Sequence, residues 1–381
     1  MGEYISISVL GRDRPGLLQL IVSCIEAEGL KLVDIQQNVV HGILSLFILL
    51  EKNENQKLRE RLAASLPSDI SFDIHETAGF LPSVTGKRYV LTVVGNRCNE
   101  LLHIVSSVTA EMGVNNLRIS FLSRGELTAM QFLMDAGSCS PRDLRSRLTG
   151  LLEGAGADVM FESERSFKAG KKLIVFDMDS TLVKGETLEE IAVRFGLKRE
   201  MKRITESAMR GELDYVSSLK KRVSMLSGMP VSVLDSVLET LELTPGAEEV
   251  VSTLKAMGYK IALVSGGFSI FTDWMKQKLG LDYAFGNRLE VKDGVLTGGL
   301  EEPVIDARGK QRIIEEIRLA EHIAAEEVVV VGDGANDRVM VENAGLGIAF
   351  MGKEVLKKVA DGSISSGDMR SLLFCFDTFD Y

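Results

Sequence analysis

Two aspartates separated by one residue, Asp177 and Asp179, follow directly on an apolar run in "KKLIVFDMDSTLVKGET" (171–187). Further along, "IALVSGG" ends in Ser265, Gly266 and Gly267, and "VVVVGDGAND" ends in Asp333, Asn336 and Asp337. Each cluster closes a run of β-favouring residues, so all three are expected at equivalent strand ends. Carboxylates gathered out of water repel one another and are costly to bury without a compensating charge. A bound cation resolves this, and an all-oxygen donor set suits Mg²⁺, which keeps several waters and bridges to substrate phosphate. With a strand period of two, Asp177 and Asp179 are predicted to leave the sheet on one side. One carboxylate can then attack while the other handles a proton.

The elements that must position these groups can be read from the same pattern. "LIVF" (173–176), "IALV" (261–264) and Val328–Val331 are apolar at every position, which marks strands buried on both faces of a parallel sheet. Ligands gather at the carboxyl ends of such strands. Residues 183–243, between the first two strands, are too many for a single crossover helix. "ETLEEIAVRFG", "REMKRITESAMRG", "LDYVSSLKKRVSML" and "VSVLDSVLETL" predict instead a helical cap over about 184–243, able to close over the site and exclude water.

The first half of the chain is an internal duplication: "VLGRDRPGLLQLIVSCIEAEGL" (9–30) aligns with "VVGNRCNELLHIVSSVTAEMGV" (93–114), offset by 84 residues. Each copy predicts β-α-β-β-α-β, a ferredoxin-like unit. "TAGFLPSVTGK" (77–87) and "ERSFKAGKK" (164–172) have linker composition. The expected organisation is thus two ferredoxin-like domains, 1–80 and 86–164, followed by an α/β domain, 171–381, with a Rossmann-like parallel core and the helical cap.

Composition narrows the function classes. With 45% apolar and 26% charged residues, the 381-residue chain reads as ordinary globular protein, and its net charge of −10 argues against nucleic acid or an anionic membrane as partner. An anionic substrate then requires local positive charge. Cys24, Cys98, Cys139 and Cys375 are far apart and form no zinc or disulfide pattern, which fits a reducing cytoplasm. The apolar stretch "GILSLFILL" (42–50) is about half of what a membrane span needs, and no signal pattern opens the chain.

Together, "DMDST", Ser265, Lys310 and "GDGAND" resemble the haloacid dehalogenase superfamily across about 200 residues. Charge alone does not separate Lys310 from Arg308 or Arg312; the family spacing does. "FDMDSTLVKGE", "LKKRVSML", "VSGGF", "DYAFGNRLEVKDGVLTG" and "GDGANDRVM" resemble the phosphoserine phosphatase family within it. That resemblance implies hydrolysis of L-phosphoserine, the last step of serine biosynthesis, with Asp177 as nucleophile and Asp179 as general acid and then base. It implies Mg²⁺ at Asp177, Asp333 and the Met178 backbone carbonyl, the last in preference to the side chain of Asp179. Ser265, the Gly266 amide and Lys310 would hold phosphoryl oxygens, Asn336 would contact phosphate, Asp337 would orient Lys310 or the metal waters, and Thr181 would support the loop. In the cap, Glu186 would meet the substrate ammonium and Arg222 its carboxylate, with Met209 and Tyr215 lining the pocket. The family usually has Phe where Tyr215 stands.

"GRDRPG" makes the first repeat resemble the ACT family of amino-acid-sensing modules, which implies an effector such as L-serine near Gly11, Asp13 and Gly16, and homodimerisation through these modules. The second copy departs from that pattern, with Glu100 where the first has Gly16 and no proline. Two alternatives stand beside phosphoserine hydrolysis: a phosphotransferase or phosphatase for another small phosphate ester, and an amino-acid-responsive protein whose aspartate only accepts phosphate as a signal.

Overall fold

A computed structural model describes residues 3–51, 57–78, 87–124, 126–209 and 213–376. The chain divides into two compact units, 1–84 and 85–381.

The first unit runs β1 (Glu3–Arg12), helix Leu17–Ala27, β2 (Leu32–Val40), β3 (Ile43–Glu51), helix Leu58–Ser65 and β4 (Ile70–Ala78). Its antiparallel sheet has the order β2-β3-β1-β4, the ferredoxin-like arrangement. Period-two alternation explains the core: Leu44, Leu46, Ile48 and Leu50 of β3 are buried beneath the helices, whereas Ile43, Ser45 and Phe47 face out. β2 and β3 are joined by His41 and Gly42, both at positive φ (50° and 77°), as a two-residue hairpin of right-twisted strands requires.

The second unit opens with the same element order: β5 (Arg88–Val94), helix Cys98–Glu111, β6 (Asn115–Arg124), β7 (Leu127–Asp135), helix Pro141–Gly154 and β8 (Asp158–Ser163). It continues through β9 (Leu173–Phe176), β10 (Lys260–Phe268), β11 (Tyr283–Asn287), a hairpin of β12 (Leu289–Lys292) and β13 (Val295–Leu300), then β14 (Val328–Gly332), β15 (Leu346–Phe350) and β16 (Gly362–Ile364). One ten-stranded sheet holds this unit together in the order β11-β10-β9-β14-β15-β16-β8-β5-β7-β6. From β11 to β16 it is parallel, and β16 pairs antiparallel with β8. β9, β10 and β14 are fully buried apart from Lys260 and Gly267 of β10, as their unbroken apolar runs require.

The segment 164–172 is not the linker its composition suggests. It forms the helix Glu164–Lys168, capped by Ser163, with Phe167 buried. Lys171 is buried beside Glu162 at 2.6 Å and also donates to the Ser166 carbonyl at 3.0 Å. The second repeat is therefore welded to the α/β core. Asp158 completes the seam, its carboxylate accepting the amides of Ser365, Ser366 and Gly367 and the hydroxyls of Ser366 and Ser371.

Between β9 and β10 lie, among the described residues, the helices Thr187–Arg194, Lys198–Met209, Tyr215–Ser224 and Ser232–Leu238, then the core helix Ala247–Ala256. Leu188, Ile191, Leu219, Val223, Leu234 and Val237 pack this helical region onto the core of β9 and β14.

Candidate active site

β9 ends at Phe176, and Asp177 continues its ladder by donating its amide to the Val331 carbonyl at 2.9 Å. The residue is 2% exposed; its Oδ1 accepts the Met178 amide at 2.7 Å and lies 2.8 Å from Lys310 Nζ, and Oδ2 accepts from Asn336 Nδ2 at 3.3 Å. Lys310 sits in the first turn of the helix Ala307–Ala320, whose N-terminus Asp306 caps by accepting the Gly309 amide at 2.7 Å. Its Nζ also donates to Asp337 Oδ1 at 2.7 Å. Burial alone would lower the Lys310 pKa, but the carboxylates of Asp177 and Asp337 overcome it and hold the ammonium well above its ordinary range.

Asp337 is in turn fixed by the amides of Asp333 and Gly334, both donating to Oδ2 at 3.1 Å. A Cβ on Gly332 would lie 2.6 Å from that oxygen, so the end of β14 needs glycine for the carboxylate to fold back over it. Burial pushes Asp337 up and the Asp177 charge adds to this, with Lys310 opposing.

Asp179 reaches the same pocket by a turn rather than by strand periodicity. Met178 O accepts the amides of Thr181, Leu182 and Val183 at 3.2, 2.9 and 3.1 Å, and Ser180 takes a φ of 56°. The Met178 carbonyl is thus engaged by the amides of the turn, and Thr181 supports the loop through its backbone while its buried Oγ1 has no hydrogen-bond partner among the described residues. Thr187 donates to Asp179 from its amide (3.1 Å to Oδ1) and hydroxyl (3.2 Å to Oδ2). Burial, then the charges of Glu186 and Asp177, push the Asp179 pKa up to about 8.

The opposite wall comes from β10, whose ladder to β11 breaks between Val264 and Phe268. Ser265 is buried there, and its Oγ accepts the Gly267 amide at 2.9 Å. The Gly266 carbonyl accepts Asn287 Nδ2 at 2.8 Å and the Tyr215 hydroxyl at 3.4 Å. A Cβ on Gly266 would lie 2.1 Å from that hydroxyl oxygen, so any side chain there would displace Tyr215. Burial raises the Tyr215 pKa to about 12, keeping the phenol protonated and able to donate.

These walls enclose a cavity of about 90 Å³ lined by Asp177, Asp179, Glu186, Tyr215, Arg222, Ser265, Gly266, Asp333 and Asn336, with Leu188, Leu219 and Phe268 as apolar surface. Lys310 stands behind Asp177 rather than on the surface. The Met209 side chain lies outside the described residues. Arg222 leans along its own helix, with Nε donating to the Ser218 carbonyl at 3.4 Å. Burial and then Asp333 raise the pKa of Glu186, against the nearby charge of Lys353.

In the first unit, a Cβ on Gly11 would lie 2.5 Å from Ile70 Cδ1 and 2.8 Å from the Asp69 carbonyl, Asp13 donates its amide to the Gly42 carbonyl at 2.9 Å, and Gly16 caps the helix Leu17–Ala27 at φ 88°. In the second repeat the equivalent turn is occupied by an ion pair, Arg97 to Glu100 at 2.8 Å.

Asp177, Asp333 and Asp337 each place a carboxylate oxygen within 4.8 Å of the others, all buried. Crowded hard oxygen donors fit a divalent cation. Asp337 joins Asp177 and Asp333 in this cluster, whereas the Asp179 carboxylate is turned onto Thr187. Sequence reasoning passed over Thr187, Asn287 and Lys353. Lys353 lies 3.3 Å from Asp333 Oδ2, just beyond "LGIAF", a run that itself predicts one more strand end beside the site.

Comparison with known proteins agrees with this geometry. Residues 171–345 match the haloacid dehalogenase-like hydrolase family, and residues 3–75 match the ACT domain. A phosphoserine phosphatase of Archaeoglobus fulgidus is 51% identical over 247 residues, 65% of this chain and 72% of the relative. One of Mycobacterium tuberculosis is 35% identical over 375 residues, covering 97% of this chain and 91% of the relative. Among solved structures, a phospho-aspartyl intermediate analogue of phosphoserine phosphatase is 48% identical with a TM-score of 0.52, covering 55% of this chain and 100% of the other. With an acid-lined pocket at the strand ends, a helical cap and full-length relatives, the chain belongs to the phosphoserine phosphatase family of haloacid dehalogenase-like hydrolases, preceded by an ACT domain.

Proposed function

We propose that the chain hydrolyses L-phosphoserine to L-serine and phosphate through a phospho-aspartyl intermediate at Asp177, with Mg²⁺ as its cation. The observation that carries the mechanism is the unequal placement of the two aspartates: Asp177 lies against Lys310 Nζ at 2.8 Å, whereas Asp179 accepts the Thr187 amide and hydroxyl at 3.1 and 3.2 Å, and burial with the charges of Glu186 and Asp177 pushes its pKa up to about 8. An Asp177 carboxylate oxygen attacks phosphorus and the bond from phosphorus to the seryl oxygen breaks, with the Asp179 proton passing to that oxygen. Asp179, now a carboxylate, takes a proton from water as the water oxygen attacks phosphorus, and the acyl-phosphate bond to Asp177 breaks. Lys310 neutralises Asp177 throughout, and the Ser265 hydroxyl and Gly266 amide orient the phosphoryl oxygens. When bound by Asp177 and Asp333, Mg²⁺ supplies further neutralisation of the phosphoryl charge.

Glu186 and Arg222 face the cavity from the cap and offer partners for the ammonium and carboxylate that distinguish phosphoserine from simpler esters. The two repeats separate in role: the first keeps an open Gly16 turn suited to an amino-acid effector such as L-serine, and the second is committed to the catalytic sheet. This reading includes a cytoplasmic homodimer acting in the last step of serine biosynthesis; no helix among the described residues is long and apolar enough to cross a membrane. Rapid-quench labelling with ³²P-phosphoserine, followed by peptide mapping, tests the mechanism. Label is expected on Asp177; turnover without a labelled enzyme would refute it.

A further inference from the structure

Formal charge at the mouth of the site is unbalanced. Asp177, Asp179, Glu186 and Asp333 line the cavity, and Asp337 lies behind them. Lys310 is fully engaged between Asp177 and Asp337, and Arg222 stands on the cap. A phosphate dianion entering here must approach four carboxyl groups.

Lys353 lies beside one of these acids, three residues beyond the end of β15, the strand next to β14, and Asp333 directly follows β14. It grips Asp333 twice: its amide donates to the Asp333 carbonyl at 2.8 Å, and its Nζ lies 3.3 Å from Asp333 Oδ2. The backbone is bent to achieve this. Met351 takes a φ of 44°, and a Cβ on Gly352 would lie 2.7 Å from the Ala349 Cβ, so the chain turns back tightly over its own strand. The Lys353 side chain is 59% exposed, so its charge is open to solvent instead of being sealed in a buried pair. Its field also reaches Glu186.

We propose that Lys353 is a positioning residue that fixes the Asp333 carboxylate and sets the charge of the mouth, weakening the hold on the divalent cation while strengthening the hold on phosphate. This rests on the cation-dependent phosphatase reading above. The two effects have opposite signs because one neighbouring positive charge repels the cation and attracts the anion. A residue that only braced Asp333 would weaken both ligands together when removed.

The test uses the full chain, with K353Q and K353R beside the parent. Mg²⁺ affinity is measured by calorimetry without substrate, and inorganic phosphate as an inhibitor of phosphoserine hydrolysis at saturating Mg²⁺. For K353Q, about three- to tenfold tighter Mg²⁺ binding and at least about threefold weaker phosphate inhibition are expected, shrinking in high salt, with K353R close to the parent on both. Unchanged or weaker Mg²⁺ binding in K353Q, or unchanged phosphate inhibition, overturns the proposal. A parent that neither binds Mg²⁺ nor hydrolyses phosphoserine overturns the underlying reading and this inference with it. A parent that does both, beside a K353Q that matches it, overturns this inference alone.

Discussion

Replacing Asp179 with Asn tests the electrostatics of the site through stability, independently of turnover. Burial and the charges of Glu186 and Asp177 raise the Asp179 pKa from 3.8 to about 8 in the folded chain. Between those values the folded protein binds a proton that the unfolded chain has released, so stability falls as pH rises through the window and is fully lost above about 8. Asn carries no such dependence. The stability of D179N relative to the parent should therefore climb by up to about 1.4 kcal/mol per pH unit from about pH 4, reach as much as about 4 kcal/mol by pH 7, and level off above about pH 8. A weakened hydrogen bond from Thr187 would shift the whole curve by about 1 kcal/mol without changing its slope. Trp274, the only tryptophan in the chain, lies in the helix Ser269–Leu279 of the catalytic unit, so its fluorescence reports that unit's unfolding. Urea titrations from pH 5 to 9, with chelator present, give the curve. A pH-independent difference, or a parent more stable than D179N at pH 7, would refute the assignment of Asp179 as an acid held protonated by its surroundings.

In steady-state kinetics, turnover of the parent should decline above pH about 8, where Asp179 loses the proton the leaving seryl oxygen needs, and D179N should lose this limb along with about a hundred- to ten-thousandfold of its rate. K310M strands two buried carboxylates, Asp177 and Asp337, and should cost about 3–5 kcal/mol by chemical denaturation; an unchanged midpoint would contradict the pairing. G266A drives a methyl group into the Tyr215 hydroxyl and should lose most activity, whereas G266A/Y215F, which leaves the nearest ring carbon at 3.2 Å, should recover part of it. Equal activity in the single and double variants would show that the hydroxyl does not set the approach of the cap.

Much of the site was legible because its acids end apolar runs. "LIVF", "IALV" and Val328–Val331 fixed three adjacent strands, and their polar ends converge on one cavity. The same pattern could not show how Asp179 arrives, since the turn depends on three amides converging on one carbonyl, a backbone arrangement with no periodic signature. It could not assign the third cluster carboxylate either, because Asp337 is bent back by glycine at 332 and by Lys310, far away in sequence. Segment 164–172 read as a linker from its Gly, Ser and Lys; the one contrary sign was Phe167, which is buried. Arg222 was visible only through resemblance, since Lys220 and Lys221 carry the same charge, whereas the helix presents Arg222 to the cavity. Asn287 and Lys353 carry no carboxylate motif, although each lies at or just beyond the end of a sheet strand.

The central claim is that Asp177 carries the phosphoryl group of phosphoserine in a cation-dependent hydrolysis. The most direct measurement is phosphate release from L-phosphoserine by the parent and D177N, each with Mg²⁺ and with chelator. Release by the parent with Mg²⁺ alone, absent from a folded D177N under both conditions, is the predicted result. Comparable release by D177N, or release by the parent that persists in chelator, would contradict the account.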